Sequence, residues 1–306
     1  VPDIMPAASG GTIIPVVVAE PARHGIGQNV QVVEPMVGGT GARRGFDGAD
    51  GRDSSISNLA NNPVETVEAE TGVEILRYGL RADSGGAGQW RGGCGQEIQF
   101  RILQDDVRVL ARGMERLRFA PWGTHGGRPG ARARLVLNPG TPDARVLGKI
   151  DVLPVNTGDV IALQTPGGGG WGSPFERAPD AVHADVVRGL VSIENARDVY
   201  GVVIDHDAVD HVATAQLRAA TPAGTERGEE RDRWDQVFEP ALLDQLNASL
   251  FARPAPLRAR MRQQVYAKVL SSLPADFPAS PASKADLGAA RALLQDAITE
   301  SSATAA

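Results

Sequence analysis

Residues 96–112 read QEIQFRILQDDVRVLAR. In Gln96–Leu103 and Val107–Arg112 apolar and polar residues alternate and β-branched and aromatic side chains recur, the period-2 pattern of half-buried strands. The short polar link Gln104-Asp105-Asp106 predicts a hairpin between them. Working outward, Val73–Arg81 (VEILRYGLR) carries the same bias, and Arg134–Leu137, Arg145–Lys149 and Val160–Leu163 are further short strand candidates. The connectors Asp83–Gly88, Gly123–Gly130, Asn138–Pro142 and Pro166–Gly172 are dense in Gly and Pro. Strands at this spacing predict a packed antiparallel assembly rather than βαβ units. One helix is expected in this half, Pro63 through Glu70, with Pro63 at its first position and Glu65 in its first turn.

Glycine divides the chain. Of 36 glycines, 31 precede Ser173, and only five fall in the 134 residues that follow. Glycine weakens helices and supplies close backbone approach, so the first part reads as turn-rich and strand-dominated and the rest as helical. Beyond Pro174, Asp180–Arg188 is closed by Gly189, and Ser192–Tyr200 opens on a capping serine and is closed by Gly201. A charged stretch, Thr225–Arg233, leads to a helix over Ala241–Leu250 limited by Pro240. Leu257, Met261, Val265 and Val269 then form one apolar stripe. Pro274, Pro278 and Pro281 mark a linker. Ser283 and Asp286 make a capping-box spacing for a last helix carrying Leu287, Leu294 and Ile298. The expected fold is α+β: a β-rich, glycine-dense N-terminal part with antiparallel strands over 1–175, a helical segment over 176–224, and a helical extension over 225–306. No 20–50-residue repeat is visible.

With 306 residues, 42% of them apolar and 22% charged, the chain can bury a real core. No run approaches the length of a membrane span, and a net charge of −6 argues against nucleic acid as a partner. A single cysteine, Cys94, forbids an internal disulfide framework and fits a reducing cytoplasm. A first residue of Val1 is compatible with processing, with a fragment, or with a larger polypeptide split in two.

Several motifs have competing readings. Gly39–Gly45 (GTGARRG) looks like a nucleotide loop, but Gly45, Gly48 and Gly51 prevent a helix from starting there, and no GxxxxGK[ST] exists. Gly167, Gly168, Gly169 and Gly170 form either a wide turn anchored by Trp171 or an amide-rich wall lining a cleft. His206, Asp207 and His211 are metal-ligand types in a short span, but they read better as a solvated acidic loop. His24, His125 and His183 are isolated. Cys94, between glycines, reads as a small buried side chain rather than a nucleophile. In Ser57–Glu65 (SNLANNPVE) several amides crowd a turn before a helix N-terminus, which suits either a pocket edge or plain turn chemistry.

The order of these pieces resembles the C-terminal half of the hydantoinase B/5-oxoprolinase family, which includes N-methylhydantoinase B and components of ATP-dependent ketone carboxylases. The matching pieces are Ala8–Thr12, Gly38–Gly48 (GGTGARRGFDG), Asn58–Glu68 (NLANNPVETVE), Arg77–Gly93 and Pro121-Trp122-Gly123 with Gly126-Gly127. Pro166–Pro174 and Asp185–Val203 follow, so the resemblance covers about residues 1–205. It implies a subunit of a multi-subunit ATP-dependent cyclic-amide hydrolase, working with a hydantoinase A-like partner that phosphorylates the substrate. The alternatives are a subunit of an acetone- or acetophenone-type carboxylase and a non-catalytic structural subunit. The family's metal-binding histidines and aspartates belong to the N-terminal half, so no metal ligand is carried over. ATP with magnesium and a divalent metal are expected elsewhere in the complex, and the missing half on another polypeptide. Alone, the chain is expected to be inactive. Gly10 and Ser55 stand where the family often has His, and Ala60 where Arg is frequent. The resemblance leaves Thr12, Arg43, Asn58, Asn61 and Glu65 as candidate substrate-binding residues: Arg43 for a carboxylate or phosphate, Asn58 and Asn61 for a carbonyl, and Glu65 behind them.

Overall fold

The computed structural model describes residues 5–19, 29–52, 60–220, 227–274 and 276–303; His24, Ser55 and Asn58 lie outside the described residues. The chain forms two compact units, Val1–Arg227 and Gly228–Ala306.

In the first unit the elements are β1 (Thr12–Ala19), β2 (Asn29–Val32), β3 (Met36–Val37), α1 (Val64–Thr71), β4 (Val73–Leu80), β5 (Gln96–Ile102) and β6 (Val107–Gly113), then β7 (Arg134–Leu137), β8 (Arg145–Leu147), β9 (Leu153–Val155) and β10 (Val160–Gln164). They build two antiparallel sheets. One has the order β2-β1-β6-β9 with β3 also on β1, the other β4-β5-β10-β7-β8. The two sheets share one core, in which Ile98, Phe100 and Ile102 of β5 pack with Val107, Val109 and Ala111 of β6, Ile13 and Val17 of β1, and Leu135, Ile161 and Leu163.

The expected hairpin is corrected. β5 pairs with β4 and β10, β6 pairs with β1 and β9, and the two strands lie in different sheets. The connection does not close on itself. Asp106 has φ +56, its N–H donates to Asn156 Oδ1 at 3.3 Å, and Asp105 Oδ1 accepts from Thr157 N at 3.0 Å. Changing sheets lets the apolar faces of both strands meet in the shared core, which a flat two-residue-period hairpin cannot do.

β1 carries no strand expectation because TIIPVVVA does not alternate and contains Pro15, which lacks a ladder donor. The pairing shows how the proline is tolerated. β3 covers Thr12 and Ile13, β2 covers Val16–Ala19, and Pro15 falls in the gap between them, where its carbonyl accepts from Val33 N at 2.9 Å.

A short 3-10 turn, Pro174–Glu176, leads into α2 (Pro179–Val187) and α3 (Ile193–Asp198). Ser192 caps α3 by accepting from Asn195 N at 3.1 Å. A small hairpin, β11 (Ile204–Asp205) with β12 (Ala208–Val209), and α4 (His211–Ala220) complete the unit. Val182, Val191, Ala196, Tyr200 and Val202 form a second core with Ala87.

The second unit holds α5 (Glu229–Asp235), α6 (Pro240–Phe251), α7 (Ala255–Leu270) and α8 (Lys284–Ala303). Its core stacks Trp234 on Phe238, with Tyr266 and Phe277 beside them. Ser283 caps α8 through Asp286 N at 3.1 Å. On α7 the predicted stripe is only partly interior: Val269 is buried, Met261 and Val265 are half-buried, and Leu257 is exposed. No described helix is long and apolar enough to cross a membrane.

Candidate functional site

The glycine-dense connectors are not independent loops. Segments 5–11, 38–50, 84–95, 121–131 and 165–172 lie almost wholly outside helix and strand, and backbone hydrogen bonds knit them together. The N–H groups of Gly167 and Gly170 donate to Ala131 and Arg128, both on one neighbouring segment, at 3.1 and 2.9 Å. Gly168 donates to Gly93 and Gly169 to Ala8, both at 2.8 Å, on two other segments. Donation returns to the same neighbour every third residue, the repeat of an extended three-residue helix rather than of a β-strand. Such a chain is normally satisfied by water; here the neighbours satisfy it. Close approach requires glycine. A Cβ on Gly168 would meet the Thr40 carbonyl, and one on Gly93 the Ala49 carbonyl, each well under 3 Å. Gly167, Gly168, Gly169 and Gly170 are all buried inside this lattice.

A buried ion network ties the lattice to the helices. The guanidinium of Arg177 grips both oxygens of Asp47 at 2.8 Å and donates to Asp185 Oδ2 of α2 at 2.8 Å. Arg91 donates to Asp50 Oδ1 at 2.9 Å, with its Nε 3.6 Å from Asp185. The Arg91 and Cys94 amides are fixed by Asp47 and Asp50, each at 2.7 Å. Burial alone weakens the hold of both guanidiniums on their protons, but the surrounding carboxylates more than offset this and hold them protonated. Burial pushes the Cys94 thiol up, in keeping with a packing role.

The candidate residues separate into two regions. Thr12 opens β1, and its carbonyl accepts from Met114 N at 2.9 Å. Arg43 lies at the surface of the lattice in a turn closed by Arg43 N to Phe46 O at 3.1 Å, with its guanidinium 4.6 Å from the centre of the exposed Phe46 ring. A second pair, the half-buried Arg116 over the exposed Trp122 at 5.2 Å, sits nearby in the lattice, since Ala7 N bonds Ala42 O and Ala8 N bonds Trp122 O. Asn61 and Glu65 are exposed at the start of α1. His206 and Asp207 form the turn between β11 and β12, with His206 Nδ1 2.8 Å from Asp205.

The residue that sequence reading missed in this region is Glu34. It is 2% exposed; its Oε2 accepts from Asn62 N at 3.1 Å and its Oε1 from the Tyr78 hydroxyl at 2.9 Å. Asn62 Nδ2 reaches back to the Val32 and Val33 carbonyls at 3.4 Å. Glu34 therefore clamps the Asn61-Asn62-Pro63 turn onto β2 and, through Tyr78, onto the other sheet. No local spacing signals this, because the partners are 28 and 44 residues away.

Burial raises the Glu34 carboxyl above its ordinary value, and its bonds from Tyr78 and Asn62 only partly offset that. The folded state thus binds this proton more tightly than the unfolded chain. The contribution is complete below pH about 4.3 and is lost as pH rises through the folded value. The stability of the wild type relative to Glu34→Gln is expected to decline from pH 4 to pH 7 in urea melts. A difference that is flat or grows over that range contradicts the assignment.

Among the described residues no group of three or more His, Cys, Asp or Glu side chains is placed to hold a metal ion.

The hydantoinase B/oxoprolinase family model matches residues 1–174. The chain is 35% identical over 187 residues to the B-type component of a putative D-/L-hydantoinase from Pseudomonas sp. (strain NS671), covering 60% of this chain and 31% of that protein. Among solved structures, ATP-dependent caprolactamase from Pseudomonas jessenii superposes with TM-score 0.54 and 28% identity over 70% of this chain and 38% of its own. A nucleotide-free acetone carboxylase shares the fold, with TM-score 0.59 and 21% identity over 89% of this chain and 41% of its own. The chain spans about a third of the length of the curated relatives it matches.

Proposed function

Because the chain belongs to the hydantoinase B/oxoprolinase family, we propose that it forms part of a multi-subunit, ATP-dependent enzyme that opens a cyclic amide. The observation that carries this reading is the family match itself, which spans residues 1–174 and takes in both sheets and the lattice.

In the proposed reaction a hydantoinase A-like subunit transfers phosphoryl from ATP to the amide carbonyl. Water then adds to the carbonyl carbon, the ring C–N bond breaks, and the phosphate leaves by hydrolysis. Magnesium-bound ATP and a divalent metal are assigned to parts of the enzyme outside these residues. On this chain Arg43 receives the substrate carboxylate or phosphate through its planar fork of donors. Asn58 and Asn61 orient the carbonyl with Glu65 behind them, Thr12 contributes a hydroxyl from the start of β1, and Gly167–Gly170 form a rigid backing. Rigid positioning is what such a surface contributes to a reaction centre completed by other polypeptide.

The test is co-expression of these residues with an A-like subunit and a B-type N-terminal region, followed by ATP hydrolysis assays with hydantoin, 5-oxoproline or caprolactam, and with acetone or acetophenone plus bicarbonate. Turnover is expected with a cyclic amide and none from this chain alone. Arg43→Ala is expected to lower kcat/KM by roughly tenfold or more, the scale of a lost charged hydrogen bond. Turnover with a ketone instead would overturn the hydrolase reading.

One observation favours a second reading, a structural subunit. A Cβ on Gly10 would lie 2.5 Å from the Pro166 carbonyl and 3.1 Å from Gly38 Cα. The backbone fills the place from which a histidine at this position would project. Full turnover in a complex carrying both Arg43→Ala and Asn58→Ala would select this reading.

A further inference from the structure

We propose that the turn Thr124–Gly127, together with Arg128, Trp171 and Tyr200, forms a binding site for a compact oxyanion, a phosphate or a carboxylate. The inference does not rest on the hydrolase reading.

The geometry begins with the backbone. Gly127 N donates to Thr124 O at 3.0 Å across a turn in which His125 and Gly126 have φ +55 and +87. Both ends of that turn are bonded to Gly170: Thr124 N donates to its carbonyl at 3.0 Å, and its N–H donates to Arg128 O at 2.9 Å. Trp171 follows directly and bridges Thr124. Arg128 N donates to Ala87 O at 2.7 Å, and Ala87 packs in the same small core as Tyr200. The segments that carry Thr124, Arg128, Trp171 and Tyr200 are thereby brought side by side where the lattice meets the helical layer of the first unit.

The side chains of these four residues carry unsatisfied polar atoms. Among the described residues, Thr124 Oγ1, Arg128 Nε, Trp171 Nε1 and the Tyr200 hydroxyl are buried without a hydrogen-bond partner, and Tyr200 is only 2% exposed. A few such atoms are ordinary in a folded protein, but four on adjoining segments are not. All four can donate. Segments 84–91, 118–131 and 165–175, which surround them, contain no Asp or Glu. Burial weakens the hold of Arg128 on its proton, and Tyr200 is the group that acts on it electrostatically. Tyr200 also feels Arg177, Arg91, Asp185 and Asp47, which are ion-paired with one another in the network above, although the Nε atoms of Arg91 and Arg177 are likewise without a hydrogen-bond partner. Arg128 is thus a half-buried cation whose Nε is buried without an acceptor, and no carboxylate acts on it, an arrangement that costs free energy until an acceptor arrives. An oxyanion supplies only acceptors and matches a guanidinium fork. The exposed His125 imidazole, 4.8 Å from the Trp171 ring centre, adds a further nitrogen at the surface of the site.

The experiment is isothermal titration of the full chain at fixed ionic strength with sodium phosphate and, separately, sodium acetate, with chloride as the background salt. Saturable binding of at least one is expected, and which one binds distinguishes a phosphate from a carboxylate ligand. Arg128→Gln is expected to weaken binding roughly tenfold or more, and Thr124→Val several-fold. Near-UV circular dichroism checks that each variant is folded; if Arg128→Gln is not, the nearly isosteric Thr124→Val and the donor-free Trp171→Phe variants carry the comparison. Binding of neither anion, or binding that survives in every folded variant, overturns the proposal.

Discussion

Replacing Gly168 by alanine is expected to destabilise the first unit by about 3 kcal/mol or more, enough to leave much of it unfolded or insoluble. Overpacking a core costs about 1–3 kcal/mol when neighbouring side chains can turn aside. Here the atoms in the way are the Thr40 carbonyl and the Gly41 nitrogen, so relief requires moving a whole segment. That movement would strain the bonds Gly168 N to Gly93 O at 2.8 Å and Gly86 N to Gly168 O at 2.7 Å, each worth about 1 kcal/mol. The loss would be a large part of the 5–15 kcal/mol that typically separates folded from unfolded. Gly148→Ala is the control. A Cβ there meets nothing within 4 Å, and its exposed backbone is free of positive φ, so the change is expected to be neutral or to stabilise by a few tenths of a kcal/mol. Urea melts of the two variants decide the matter. A Gly168→Ala protein that melts with the wild type would mean that the segments are not packed backbone against backbone.

This lattice also marks the limit of what sequence reading could reach. The strands at 73–80, 96–102, 107–113, 134–137 and 160–164 were legible because burial on one face imposes a two-residue period, and the helix starts at Ser192 and Ser283 because capping is local. The partner of each strand was not. Gln104-Asp105-Asp106 has hairpin chemistry, yet its amide and carboxylate bond to residues 156 and 157, about 50 positions on. Gly167–Gly170 posed the same difficulty in stronger form. A glycine run has no side-chain period, so a wide turn and a close-packed extended helix look alike until the neighbouring segments are in place. For the candidate site, Arg43 and Asn61 were found through resemblance. Glu34 and the Arg128 cluster were not, because burial and missing partners are properties of the fold and not of spacing.

The second large effect is expected at Arg177. Arg177→Met keeps an unbranched apolar stem and removes the guanidinium with its charge, leaving Asp185, whose side chain is 4% exposed, without its shortest ion pair. Breaking a buried pair from one side typically costs about 3–5 kcal/mol, because the remaining charge stays desolvated. Asp47 is about a third exposed and can rehydrate, and Arg91 lies 3.6 Å from Asp185 and keeps part of its field, so the loss should fall toward the lower end of that range. Adding Asp185→Asn should recover part of it by removing the stranded charge, a non-additivity that a double-mutant cycle reads directly. The surface pair Arg101–Glu74 gives the comparison. Its side chains are 43% and 46% exposed, and Arg101→Met is expected to cost less than about 1 kcal/mol and to become invisible in high salt. The Arg177→Met loss should persist in 0.5 M salt, where the Debye length is only about 4 Å, because the Arg177–Asp185 pair itself is 5% and 4% exposed. A salt-sensitive loss, or one no larger than that of Arg101→Met, would show that Arg177 is solvated and that the lattice is held to α2 by apolar contact alone.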